Sequence, residues 1–200
     1  IKDCLDKINT ASRHLLNLIN EVLDMSKIES GKIDLAYEEV ALPDLIEDVM
    51  NVFRPLTEEK QQTLHVSANR VRHEKVLTDC GRLQQVLVNL LSNAVKYTPK
   101  GGAIGLQIQE SPSFAKGKGQ YSFIVSDSGI GMYEDFIPHL FEPFSRADDS
   151  RIHNIQGTGL GMAITQNIVR MMNGTIEVKS TPEKGSQFVA VSYTHLTLPT

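Results

Sequence analysis

Arg82-Leu-Gln-Gln-Val-Leu-Val-Asn-Leu-Leu-Ser-Asn-Ala-Val-Lys-Tyr-Thr-Pro99 is the stretch that decides the fold. At about 100° per residue, Leu83, Val86, Leu87, Leu90, Leu91 and Ala94 share one broad arc, and Arg82, Gln85, Asn89, Ser92, Asn93 and Lys96 fill the opposite one. The pattern predicts a helix from about Gly81 to Tyr97, stopped by Thr98-Pro-Lys-Gly-Gly102. A polar helical face is ordinarily just solvated. Asparagine, however, costs roughly several tenths of a kcal/mol against alanine inside a helix, where Glu, Lys or Gln would serve a wet face better. Asn89 and Asn93, one turn apart with Lys96 on the same face, therefore point to ligand binding, since their neutral amide oxygens can ligate Mg²⁺, or hold its waters, without repelling phosphate. Lys96 adds a point charge. Tyr97, just past this arc, suits either the flank of a base or the core.

Two glycine clusters follow, Asp127-Ser-Gly-Ile-Gly131 and Gly157-Thr-Gly-Leu-Gly161. The first leaves a strand, Tyr121-Ser-Phe-Ile-Val125, and is ordinary turn chemistry when read alone. Beside a nucleotide, the Asp127 carboxylate can accept from the exocyclic amine of adenine, whereas guanine presents an oxygen there and is repelled. The second cluster opens a helix through Ala163, Ile164, Ile168 and Val169, whose amide-rich start favours an anion. A dinucleotide fold needs a strand just before those glycines, but Arg146 to Gln156 is polar, and no G-x-x-x-x-G-K-[ST] frame exists. Phe141-Glu-Pro-Phe144 followed by Ser145 to Gln156 has the form of an anchored hinge with a lid. Arg146, Arg151 and His153 are candidates to meet phosphate, or else solvated loop residues.

Upstream, Ile1, Ile8, Leu15 and Val22 recur every seven residues, with Cys4, Ala11, Leu18 and Met25 offset by three. This is an a/d seam, ended at Gly31, suited to an oligomerising hairpin or to lying on its own domain. Ile33 to Val40 reads as extended, and Pro43 opens a helix with a Leu45, Ile46, Val49, Met50, Phe53 stripe that Pro55 bends or ends. Strands are expected at Leu64 to Val66, Val76 to Asp79, Ile104 to Gln109, Tyr121 to Asp127, Thr175 to Lys179 and Gln187 to Val191, with a helix from Leu160 to Met172. Strands able to pair as hairpins, with too few helices for a doubly wound sheet, imply a two-layer α/β sandwich.

A net charge of -4 and a pI near 5.9 give no basic footprint for nucleic acid. Cys4 and Cys80 form no CxxC pair, so neither a disulfide framework nor a zinc site is expected, and a reducing cytoplasm is the default. No apolar run approaches the ~20 residues that span a bilayer, and no membrane contact is expected of this piece. The start, Ile1-Lys-Asp-Cys-Leu, has no initiating Met and reads as the edge of a fragment.

The motifs together resemble the two-component sensor histidine kinases. Arg82 to Pro99 resembles their N box, Asp127-Ser-Gly-Ile-Gly-Met132 their G1 box, Phe141-Glu-Pro-Phe144 their F box and Gly157-Thr-Gly-Leu-Gly-Met162 their G2 box, in family order. Leu15 to Gly31 is similar to the second helix of the family's dimerisation and phosphotransfer hairpin. The resemblance implies a Bergerat-type fold, a mixed sheet with helices on one face, that binds ATP with Mg²⁺ and passes the γ-phosphate to a histidine. It implies a nucleotide site of Asn89, Asn93, Lys96, Tyr97, Asp127, Gly129, Gly131, Phe144, Gly157, Thr158, Gly159, Leu160 and Gly161, with Asn89 and Asn93 at the metal. It also implies a homodimer through the hairpin and a response-regulator receiver domain downstream. Hydrolytic relatives carry Glu at the position of Asn89, so the amide favours kinase over ATPase. A non-catalytic ATP-binding module is the other rival.

One departure limits the chain. The family's acceptor histidine is followed by an acidic residue and soon by proline, and none of the six histidines fits: His73-Glu74 lacks the proline and His14 precedes Leu15. The expectation is a partial kinase without its phosphoacceptor, in which no residue is the nucleophile. The expected division is a hairpin helix over 1–30, a catalytic domain over 31–192, and a tail, Tyr193-Thr-His-Leu-Thr-Leu-Pro-Thr200, that breaks the strand pattern and reads as a non-native extension.

Overall fold

A computed structural model describes residues 2–31, 34–112, 118–147 and 157–196. The chain opens with α1 (Lys2–Glu29), then β1 (Glu38–Ala41), α2 (Leu42–Glu59), β2 (Thr63–Asn69), β3 (Lys75–Thr78) and α3 (Cys80–Tyr97). β4 (Ala103–Pro112), β5 (Lys118–Asp127), α4 (Gly161–Met171), β6 (Thr175–Thr181) and β7 (Gly185–Leu196) complete it, with a short 3-10 turn at Ile137–His139. The strands form one mixed sheet in the order β1-β3-β7-β5-β4-β2, with β6 also on β7. All pairs are antiparallel except β2 with β4, which are joined by a crossover through β3 and α3. The expected two-layer α/β sandwich is the architecture observed.

Alternation builds the sheet face. On β4 and β5, Ile104, Leu106, Ile108, Tyr121, Phe123 and Val125 turn inward, and the apolar arc of α3 (Leu83, Val86, Leu87, Leu90, Leu91, Ala94) lies on them with α2 and α4 beside it. Burying such side chains contributes about 1.5–3 kcal/mol each. The α3 start is fixed by Asp79, whose carboxylate accepts from the Arg82 N–H at 2.9 Å. The opposite arc of α3, left free of the core, is thereby aimed at α4 and at the glycine turns.

Two expectations need correction. Pro55, expected to bend or end α2, does not end it, since the helix runs on to Glu59. Phe53 and Thr57, either side of the proline, are buried, and the Thr57 hydroxyl donates to the Phe53 carbonyl at 3.1 Å and the Arg54 carbonyl at 2.9 Å. The packing of these side chains outweighs the hydrogen bond that the Asn51 carbonyl loses to the proline. Nor does the last strand stop near Ser192: β7 continues to Leu196, paired with β5 along one edge and with β3 at its end, and Thr194 is buried and donates to the Leu77 carbonyl. Residues 197–200 lie outside those described.

α1 is exposed along most of its seam and packed on the domain only near its C-terminal end. Ile8, Leu15 and Val22 of the seam are exposed, as are Leu5, Leu16, Ile19 and Leu23, while Met25 and Ile28 pack on the domain core. Among the described residues no helix is long and apolar enough to cross a membrane.

Candidate functional site

A cavity of about 360 Å³ opens between α3, the start of α4 and the glycine turns, a volume in the range of small-molecule sites. Ten of the expected residues line it: Asn89, Asn93, Lys96, Tyr97, Asp127, Gly131, Gly157, Thr158, Gly159 and Gly161. Residues far apart in the chain thus converge on one cavity.

The two asparagines are held by α4. Asn89 Nδ2 donates to the Gly161 carbonyl at 3.3 Å and to Thr165 Oγ1 at 3.2 Å, and Asn93 Nδ2 donates to Met162 Sδ at 3.2 Å. With the amide NH₂ committed, the carbonyl oxygen of each remains for a cation. Among the described residues no group of three His, Cys, Asp or Glu could hold a metal. A divalent ion here would lean on amide oxygens and on the anionic oxygens of a bound phosphate, and this donor set fits Mg²⁺.

Lys96 stands next along α3. Its ammonium lies 5.0 Å from the centre of the Tyr97 ring and so close to Gly157 that a Cβ there would come within 2.6 Å of Nζ. Burial, reinforced by the Arg146 charge and partly offset by Glu21, lowers the Lys96 pKa from its ordinary value. The Tyr97 hydroxyl is pushed up by burial and pulled back by Arg146. A partly desolvated cation beside a second one is a place where an anion gains.

Asp127 closes the far side. Its Oδ1 accepts the N–H of Gly129 at 2.8 Å and of Ser186 at 3.3 Å, so Oδ2 is the oxygen available to a ligand. Burial raises its pKa, with the two backbone donors opposing. Ile130, Met132, Phe136, Leu140 and Phe188 add an apolar surround suited to a flat ring. Ile130 and Met132 belong to the first glycine motif, but Phe136, Leu140 and Phe188 do not stand out in the sequence, because only the fold brings the loop after β5 and the last strand together.

The glycines do more than approach a ligand. Gly131 has φ +61°, and a Cβ there would lie 1.9 Å from the Thr181 carbonyl oxygen. Gly159 has φ +77°, and its Cβ would meet the Phe144 backbone at 2.7 Å. Their first duty is to let two loops lie against the site.

Three expected residues do not face the cavity. Phe144 is 68% exposed with φ +63°, and it serves through its backbone N–H, which donates to the Gly159 carbonyl at 3.0 Å. Leu160 is 1% exposed, turned into the core at the N-cap of α4, where an apolar side chain gains more than it would against phosphate. Gly129 lies buried beneath Tyr97, where a Cβ would come 2.6 Å from the Tyr97 carbonyl oxygen. Arg146 lines the cavity, while Arg151 and His153 lie outside the described residues. Conversely α1 supplies two lining residues that sequence reasoning missed, Asn17 and Glu21.

Residues 78–196 match the profile of the histidine kinase-, DNA gyrase B- and HSP90-like ATPases. The sensor protein GacS of Pseudomonas syringae is 37% identical over 93% of this chain and 20% of its own length. The autoinducer 2 sensor kinase/phosphatase LuxQ of Vibrio parahaemolyticus is 33% identical over 94% and 22%. The chain therefore spans about a fifth of the length of these relatives. Among solved structures, full-length ShkA in complex with AMPPNP superposes with a TM-score of 0.80 at 27% identity, covering 95% of this chain and 38% of that one. The catalytic domain of histidine kinase ThkA superposes at 0.63 and 25% identity, over 79% and 95%. The chain belongs to the family of histidine kinase-, DNA gyrase B- and HSP90-like ATPases.

Proposed function

We propose that this portion binds Mg²⁺-ATP in the cavity between α3 and α4 and transfers the γ-phosphate to a histidine on a dimerisation hairpin. The observation that carries the reading is the pair Asn89 and Asn93, whose NH₂ groups are spent on α4 so that neutral oxygens remain in the cavity that Asp127 also lines. Asp127 accepts from the adenine amine. Lys96 and the amides around Gly157 to Gly161 take the phosphates, and Asn89 and Asn93 would hold Mg²⁺, which neutralises triphosphate charge when bound. Phosphoryl transfer asks for such positioning and neutralisation more than for covalent chemistry from the enzyme. The bond from the γ-phosphorus to the β,γ-bridging oxygen breaks as a bond to the acceptor imidazole nitrogen forms, and ADP leaves. An amide at position 89 cannot take a proton from water, which favours transfer over hydrolysis.

The acceptor lies on another helix. His73, the one histidine here followed by an acid, is committed at the β2–β3 connection, its Nδ1 2.6 Å from Glu110 Oε1. The exposed apolar face of α1, with Leu5, Ile8, Leu15 and Leu16 each more than half exposed, supports a hairpin that pairs two copies. A receiver domain would accept the phosphate next, and the site of action would be the cytoplasm.

The test is γ-labelled ATP offered to this chain with a separately purified hairpin that retains its histidine. The expected result is Mg²⁺-dependent label on the hairpin. Steady phosphate release without labelled hairpin would instead mark a hydrolase, and ATP binding with neither product a non-catalytic module.

A further inference from the structure

One wall of the cavity belongs to α1, and it carries an acid. Asn17 and Glu21, a turn apart, face the space between α3 and the second glycine turn. The Thr158 hydroxyl donates to Glu21 Oε2 at 2.5 Å while accepting the Leu160 N–H at 3.0 Å. Further along the helix, Asp24 accepts from Gln85 Nε2 at 2.9 Å and pairs with Arg82 at 3.4 Å. Glu21 and Asp24 thus fasten α1 to the domain, Glu21 from the wall of the cavity that Lys96 and Arg146 also line. Glu21 is close enough to Lys96 to raise its pKa against burial.

We propose that Glu21 acts as a resident anion in the phosphate end of the cavity, so that docking of α1 and binding of a nucleotide's phosphates oppose each other. The inference rests on the nucleotide reading above. A carboxylate and a polyphosphate cannot share one desolvated cationic corner without repulsion, and Glu21 has no independent reason to stay once Thr158 and Lys96 turn to phosphate. Coupling of this kind is reciprocal: whatever factor the docked helix takes from ATP affinity, ATP takes from helix docking. The helix that precedes the catalytic domain is thereby held against it when the site lacks phosphate and freed when the triphosphate enters. Adenosine, which has the base and no phosphate, is indifferent to the latch.

Glu21→Gln tests this, because glutamine still accepts from Thr158 and removes only the charge. Calorimetric titration of the whole chain with Mg²⁺-ATP should show the variant binding roughly tenfold tighter than the parent, within the usual range of coupling between sites. Adenosine should bind both equally. Hydrogen exchange over residues 15–25 should rise in the parent when ATP is added and change less in the variant. Equal ATP affinity in the two proteins overturns the latch, and so does an equal gain for adenosine, which would mark a change of wall shape. If neither protein binds ATP, the nucleotide reading itself fails and takes the latch with it.

Discussion

Two partly buried carboxylates stand at opposite ends of the central strands, and they are driven in opposite directions. Glu110 of β4 and Asp127 of β5 are separated along the β4–β5 ladder by roughly 20 Å at ~3.3 Å per residue. Burial raises the pKa of each, but at Glu110 the His73 ring and the backbone N–H groups of His73 and Arg72 more than reverse it, and the net shift is downward. Asp127 receives two backbone donors, both on Oδ1, and its net shift is upward. The Glu110 cluster is internally complete, down to the Tyr121 hydroxyl donating to the His73 carbonyl at 2.8 Å. Asp127 is an acceptor kept partly unspent, and an unspent acceptor out of bulk water is what a ligand amine needs. Both are carboxylates penalised by burial; the leftover hydrogen-bonding capacity separates structure from site.

Asp127→Ala should produce the largest effect, a tenfold to hundredfold loss of ATP affinity, about 1.5–3 kcal/mol for one charge-assisted contact. Its thermal stability should hold or rise, because a carboxyl whose pKa is raised in the folded protein disfavours folding once pH exceeds the ordinary aspartate range. Parallel titration and melting of the two proteins separate these outcomes. Equal affinity would move Asp127 from the ligand side of the comparison to the structural side.

Glu110→Gln should do the reverse. A loss of about 1.5 kcal/mol in urea unfolding is expected at neutral pH, with ATP affinity unchanged. The folded pKa is depressed, so this contribution is present above the ordinary glutamate range and disappears as pH falls through the lower folded value. Parent and variant unfolding curves should therefore converge in acid, and a gap that persists there would contradict the assignment.

Asn93→Ala sharpens the picture at the cation. ATP affinity measured with Mg²⁺ should fall about tenfold, near 1.4 kcal/mol, whereas affinity in a chelator should barely change. The smallest effect belongs to Asp24→Ala, which loses a partly exposed ion pair with Arg82 and should cost under about 1 kcal/mol, read as faster hydrogen exchange in α1.

Much of this is legible in the sequence because it depends on local periodicity. The Asn89, Asn93, Lys96 stripe on α3 and the inward residues of β4 and β5 follow from helix and strand repeats, whereas their meeting with Asp127, Gly157, Thr158, Gly159 and Gly161 is what the family resemblance implies. What stays hidden depends on tertiary partners. Pro55 is carried through α2 by the packing of Phe53 and Thr57, which no local rule foresees. The strand at Tyr193 to Leu196 looks patternless because its pairing changes partner, from β6 to β3, along one edge. Motif neighbours point Phe144 and Leu160 at the ligand, though one works through its backbone and the other fills the core. Glu21 escapes notice because Asn17, Glu21 and Asp24 on a heptad helix look like a solvated flank until the domain they touch is in place.

The most direct test of the nucleotide site is calorimetric titration of the folded chain with ATP, with and without Mg²⁺. A saturable heat that strengthens with Mg²⁺ and weakens in Asp127→Ala is the predicted result. No heat from properly folded protein, or a heat indifferent to both the metal and Asp127, would contradict the account.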